Sequence, residues 1–185
     1  MGGPLSAPAR REIALLDFTR MINERASPSA LMRAAPTLIA AGLQLDYVSL
    51  FELLPSGDAV RLMSSTGPDQ AAIGSVERLD PNNIVAEAAG RTGESVIIGD
   101  WQDETRLQLT PLLRNAGVTS SVATVVTVGR GERAYGGLRA DSRTPRLFSE
   151  DEIRSSRQPE ASWRTLSSRR KRRCHSVRLS KIRRT

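Results

Sequence analysis

Apolar residues recur at helical spacing near the start of the chain. Ala14, Phe18, Met21 and Ile22, with Leu15 beside them, predict an amphipathic helix over Glu12 to Arg25. Ser27-Pro28 has the form of an N-cap followed by proline at the first helical position. A second stripe, Leu31, Ala34, Ala35, Leu38 and Ile39, predicts another helix that stops at Gly42. The period then changes to two. Tyr47 to Leu53 and Val60 to Ser64 predict two strands of a hairpin, joined by the turn Pro55-Ser56-Gly57-Asp58. Gly67 to Leu79 lacks either period and is expected to be a long loop. Asp80-Pro81-Asn82 starts a short helix carrying Ile84, Val85 and Ala88 and ending near Gly90. Ser95 to Ile98 is a short apolar strand that breaks at Gly99-Asp100, and Thr110-Pro111 caps a short helix ended by Gly117. Val118 to Val128 is the longest strand candidate, and Tyr135 to Ala140 returns from a hairpin loop at 129–133. Ser149 and Glu152 have capping-box spacing, with Phe148 placed as the staple residue.

This order implies an α+β fold with a central antiparallel β-sheet. The terminal helices would pack on one face. Short helices and loops of the Gly67–Gly117 segment would cover the other, with a pocket between.

Charge divides the chain. The whole carries +7 over 185 residues, which by itself suggests a nucleic-acid binder. Residues 154–185, however, hold twelve Lys and Arg against one acid, Glu160, while residues 1–153 are acidic by four charges. The only Cys and the only His, Cys174 and His175, also lie in that tail. One of each excludes a disulfide framework and a Cys/His zinc cage within one chain. A body without Cys or His cannot build a Cys/His or Ser/His nucleophile, so no enzyme is expected. No apolar run approaches the roughly 18 residues of a membrane span, and the start lacks a secretory layout. The expectation is a cytoplasmic protein that does not engage membranes. Met1-Gly2 to Ser6 fits the loose myristoylation pattern, but a flexible leader over residues 1–10 is the plainer reading.

Five segments, in order, carry a family resemblance. They are Leu16-Asp17-Phe18-Thr19-Arg20, Asp46 to Phe51, Gly93 to Asp100, Gly117 to Ser121 and Arg146 to Ile153. Over 11–153 the chain resembles a GAF domain, the small-molecule sensor module of bacterial signalling proteins. The resemblance implies a sensory domain set before an output module of the histidine kinase, diguanylate cyclase or phosphodiesterase type. It also implies a pocket over the sheet. Strand alternation then nominates Ser49 and Phe51 on the first strand and Thr119 and Ser121 on the long strand, with Asp100 and Trp101 just past the edge strand. Each has a plainer reading: Phe51 as core, Trp101 as a shield for the sheet edge, Asp100 as a turn cap. Arg106 would pair with Asp103 or Glu104, and Ser120 would support backbone. The cyclic-nucleotide pattern of the family needs a Lys that this body lacks, haem lacks an axial His or Cys, and a bilin lacks its thioether Cys. The ligand and any cofactor stay open.

Two other readings remain. One is a module that dimerises through its terminal helices with an empty pocket. The other is a nucleic-acid-binding adaptor using Arg169-Arg170-Lys171-Arg172-Arg173. No aromatic interleaves that run, so nucleic acid is not expected as a partner. The tail also departs from the family, which continues beyond an Ile153-like position as a long helix. Pro159 would break such a helix. We read 154–185 as a basic, disordered tail and propose that it is the product of a shifted reading frame. Trp163 has only the codon TGG; read one base earlier, with CGN for Arg164, Trp163-Arg164-Thr165 becomes Leu, Met or Val, then Ala, then Asn, Asp, His or Tyr. Sequencing the gene checks this: the shifted frame should encode an amphipathic helix, and early stop codons there would sink the idea.

Overall fold

A computed structural model describes residues 6–90, 95–128, 133–146 and 148. The expectations for residues 129–132, for the Ser149 capping box and for the basic tail lie outside the described residues. Two helices lead, α1 (Ala7–Asn23) and α2 (Pro28–Leu43). Then come β1 (Tyr47–Leu53), β2 (Ala59–Ser65), a 3₁₀ turn (Pro68–Ala72), β3 (Val76–Arg78), α3 (Ile84–Gly90), β4 (Val96–Ile98), α4 (Pro111–Asn115), β5 (Ser120–Val128) and β6 (Arg133–Ser142). The strands form one six-stranded sheet in the order β3-β2-β1-β6-β5-β4, with every pairing antiparallel. The fold is α+β, as the hydropathy pattern implies.

Each face of the sheet has its own core. Val48 and Leu50 of β1, Val122 and Val126 of β5, and Leu138 and Ala140 of β6 pack with Phe18 of α1 and Leu31 and Ala35 of α2. Phe51 and Ala123 point the other way. They pack with Val60 and Leu62 of β2, with Ile84, Val85 and Ala88 of α3, and with Val96 and Ile98 of β4. The strict alternation of neighbours between two cores is what a sheet covered on both sides requires.

Three boundaries differ from expectation, each for a local reason. α1 starts at Ala7, so residues 7–10 of the expected leader are helical; the Ser6 hydroxyl accepts a hydrogen bond from the Ala9 amide at 3.4 Å and sets that start. α2 runs past Gly42 and ends at Gln44, which takes the left-handed conformation (φ 51°, ψ 55°). Gly42 serves a different purpose: a Cβ there would lie 3.0 Å from the Ala14 Cβ, so it permits close approach of α1. The expected loop after Gly67 contains the 3₁₀ turn and the edge strand β3, which pairs with β2 from Ala59 to Arg61.

α2 contains a buried proline, Pro36. Proline has no N–H to offer the carbonyl four residues earlier, that of Met32. The Ser64 hydroxyl of β2 donates to this carbonyl at 2.7 Å. An interruption in the helix thereby becomes a tie between helix and sheet. Ser64 reaches it because the β1–β2 register shifts between Leu50 and Phe51, pairing them with Ser64 and Leu62 and leaving Met63 unmatched. Ser64→Ala should leave the Met32 carbonyl buried without this donor and cost about 1–3 kcal/mol. Urea denaturation measures it; a loss below about 0.5 kcal/mol would mean that the bond is dispensable.

Candidate functional site

The register of the sheet lines up small polar residues around one arginine. Arg139 of β6 stands opposite Ser49 of β1 and Ala123 of β5, and Ser65 of β2 stands opposite Ser49. Two residues further along β6, Asp141 stands opposite Ser121 of β5. The small side chains beside Arg139 leave its long side chain room to lie across the sheet. Arg139 is 5% exposed and Asp141 is fully buried.

The guanidinium is held at several points. Its Nε donates to Asp141 Oδ2 at 2.9 Å. Its Nη2 donates to Asp69 Oδ2 at 2.9 Å and to the Ser49 hydroxyl at 3.3 Å. Asp69 comes from the 3₁₀ turn and is itself fixed by the hydroxyls of Ser49 (3.0 Å) and Ser65. The Gly67 amide donates to the Ser65 hydroxyl at 2.8 Å, which orients it toward Asp69. On the far side, Ser121 donates to Asp141 Oδ1 at 2.7 Å, and the Trp101 indole N–H donates to Ser121 at 2.8 Å. The Phe51 ring lies 5.4 Å from the Arg139 guanidinium carbon, within cation–π range. This chain of contacts joins β1, β2, β5, β6, the 3₁₀ turn and the loop after β4.

Burial sets the electrostatics. It pushes the Asp141 carboxyl up, against the opposing pull of Arg139 and Ser121. Burial also opposes the charge on Arg139, but Asp141 and Asp69 outweigh it and hold the guanidinium above its ordinary range. One cation thus sits between two carboxylates with little solvent.

Above this cluster is a cavity of about 130 Å³. Arg139 and Asp69 form its polar floor, Phe51, Leu62, Val85 and Leu113 form apolar walls, and Glu77, Arg78 and Leu112 stand at its exposed rim. Drug-sized pockets are usually ≈ 300–1,000 Å³, so this space suits a ligand of only a few heavy atoms.

Of the residues nominated from sequence, Phe51 lines this cavity, while Ser49 and Ser121 belong to the network beneath it. Trp101 touches the network through Ser121 and packs against the cover-side core. Asp100 and Thr119 do neither. Asp100 Oδ1 accepts from the Gln102 amide at 2.9 Å, closing a turn, and Thr119 exchanges hydrogen bonds with the Ser142 and Trp101 backbone. Arg106 pairs with Glu104 at 3.2 Å, and Ser120 donates to the Thr144 carbonyl at 2.9 Å. Arg139 and Asp69 of the floor, and Asp141 and Ser65 that hold them, are not among the residues nominated from sequence. A signal for two of them was present. Arg139 and Asp141 alternate with Leu138 and Ala140, and on a strand that pattern normally marks a solvent face. Here the cover segment buries that face.

Solved structures share the architecture. The chain is similar to the GAF domain from Acinetobacter phosphoenolpyruvate-protein phosphotransferase (TM-score 0.70, 18% identity, 90% of this chain and 96% of that one). It is similar to the GAF domain of a phosphoenolpyruvate-protein phosphotransferase from Coxiella burnetii (TM-score 0.76, 14% identity, 92% and 99%). It is also similar to the free methionine-R-sulfoxide reductase from Neisseria meningitidis, solved with its substrate (TM-score 0.72, 14% identity, 92% and 96%). No family model matches the sequence, and no curated protein matches it. The chain has the GAF fold. Among the described residues, no helix is long and apolar enough to cross a membrane.

Arg139→Met should leave two buried carboxylates facing each other and cost about 3–5 kcal/mol near neutral pH. Burial already raises the Asp141 carboxyl, and losing the cation that pulls it down raises it further above its unfolded value. The folded variant then holds protons more tightly, so its stability should rise as pH falls from 7 toward 5. Denaturation midpoints of the variant at several pH values measure this; a variant equally unstable at pH 5 and 7 would contradict it.

Proposed function

We propose that the domain is a small-molecule-sensing regulatory module of a signalling protein. The observation that carries this reading is the cavity of about 130 Å³ with a buried, rigidly held guanidinium in its floor. Its apolar walls are interrupted by Asp69, Glu77, Arg78, Asn83, Thr110 and Arg139, so the cavity offers both an apolar surface and polar groups that orient a ligand. The cavity also touches several segments of the 67–117 cover: Asp69 of the 3₁₀ turn, Leu79 after β3, Val85 of α3 and Leu113 of α4. A ligand bound there contacts the cover directly. It signals only if it binds two arrangements of that cover with different affinity.

No catalytic step is placed at this cavity. Residues 1–153 contain no Cys or His, which leaves the site without a thiol or imidazole. The histidine kinase, diguanylate cyclase and phosphodiesterase outputs implied by the resemblance remain part of this proposal, as does a cytoplasmic location. A second reading, an interaction module working through its helices, draws on α1, where Ile13, Leu15 and Leu16 are 45%, 44% and 62% exposed.

Screening small metabolites by thermal shift separates these readings. A ligand at one hundred times its Kd should stabilise the domain by about 2.7 kcal/mol. Hydrogen exchange should slow in the 67–117 cover without a change in oligomeric state. Stabilisation by no compound, together with concentration-dependent self-association in light scattering that Leu16→Glu abolishes, would favour the interaction module instead.

A further inference from the structure

Three of the five N–H donors of Arg139 are used within the protein, and two are not. Arg139 spends Nε on Asp141 and Nη2 on Asp69 and Ser49. Its Nη1 has no hydrogen bond among the described residues, although the side chain is buried and lines the cavity. A guanidinium carries five N–H donors, so two of them await an acceptor. Arg139 lines the cavity, so a ligand that supplies an oxygen there meets donors that the protein itself does not use.

Charge decides which kind of oxygen. With Asp69 and Asp141 both ionised, the cluster carries one net negative charge; with Asp141 protonated it is neutral. In neither state is positive charge left over to attract an anion. The remaining lining adds no net charge, because Glu77 and Arg78 oppose each other and Asn83 and Thr110 are uncharged. A carboxylate ligand would bring a further negative charge to within reach of two aspartates. A cation would meet a guanidinium donor at the floor. An uncharged acceptor incurs neither repulsion.

We propose that the cavity selects a small uncharged ligand bearing a carbonyl of the amide, urea or lactam kind, with Arg139 Nη1 donating to its oxygen and its apolar part held against Phe51, Leu62 and Val85. This rests on the sensor reading above and adds the ligand class. Arg139 is then the specificity determinant, and Asp69 and Asp141 set its preference by cancelling its charge.

The test uses the full 185-residue chain and two probes matched atom for atom, isobutyramide and isobutyrate, titrated near neutral pH and followed by amide NMR shifts. Isobutyramide should bind at least about tenfold more tightly, with shifts centred on Phe51, Leu62 and Val85. Equal or tighter binding of isobutyrate at those residues overturns the ligand class but leaves the sensor reading standing. Binding of neither probe also overturns it, and only the wider metabolite screen then bears on the sensor reading. Arg139→Lys keeps a cation but loses the fork that bonds two aspartates while presenting Nη1. In it the preference for the amide should shrink to about twofold or less. Because this variant can fold poorly, Leu112→Trp at the exposed rim provides the second check. With an unchanged circular dichroism spectrum, it should weaken isobutyramide binding about fivefold or more by narrowing the mouth. Unaltered affinity in Leu112→Trp would place the ligand elsewhere and overturn the proposal.

Discussion

A single buried cation organises the covered face of this sheet. Arg139 needs partners in a space with so little water, because an uncompensated buried charge costs several kcal/mol, a large fraction of the stability of a whole domain. Its partners are therefore obligatory, and they come from distant parts of the chain. Asp141 shares its strand, Ser49 comes from the neighbouring strand, and Asp69 comes from the 3₁₀ turn beyond β2. Satisfying one guanidinium fixes where the turn after β2 must sit. That in turn places the cover from which the cavity walls descend.

The opposite face shows how another local defect is answered by tertiary contact. Pro36 removes a donor from α2, and Ser64 of β2 supplies one to the Met32 carbonyl. The irregular β1–β2 register delivers that hydroxyl, and beyond the same irregularity Ser65 reaches Asp69. Adjacent serines in one strand therefore serve opposite faces: Ser64 ties down a helix, and Ser65 ties down the ion cluster.

The cluster also separates rigidity from occupancy. Its internal bonds use most of the guanidinium, so the floor is preorganised before any ligand arrives. What remains for a ligand is a narrow choice of hydrogen-bonding group in a space suited to a few heavy atoms. Selectivity of the proposed kind would come from charge cancellation and from two N–H donors left for a ligand, more than from shape alone.

Much of the fold was legible in local pattern. The period of 3.6 in α2, the period of two in β1 and β5, the Ser27-Pro28 and Thr110-Pro111 caps and the Gly57 turn are interactions between near neighbours, so the sequence by itself determined them. The assignment of Ser49 and Phe51 to one face and Val48 and Leu50 to the other followed in the same way. Tertiary structure alone decided the site. Arg139 and Asp141 look like solvent-facing residues until the 67–117 segment covers them. Asp69 looks like an ordinary turn aspartate until Ser49, Ser65 and Arg139 converge on it. The sign and depth of a buried charge depend on partners far apart in sequence, brought together by strand register, and no local periodicity records which partners those will be.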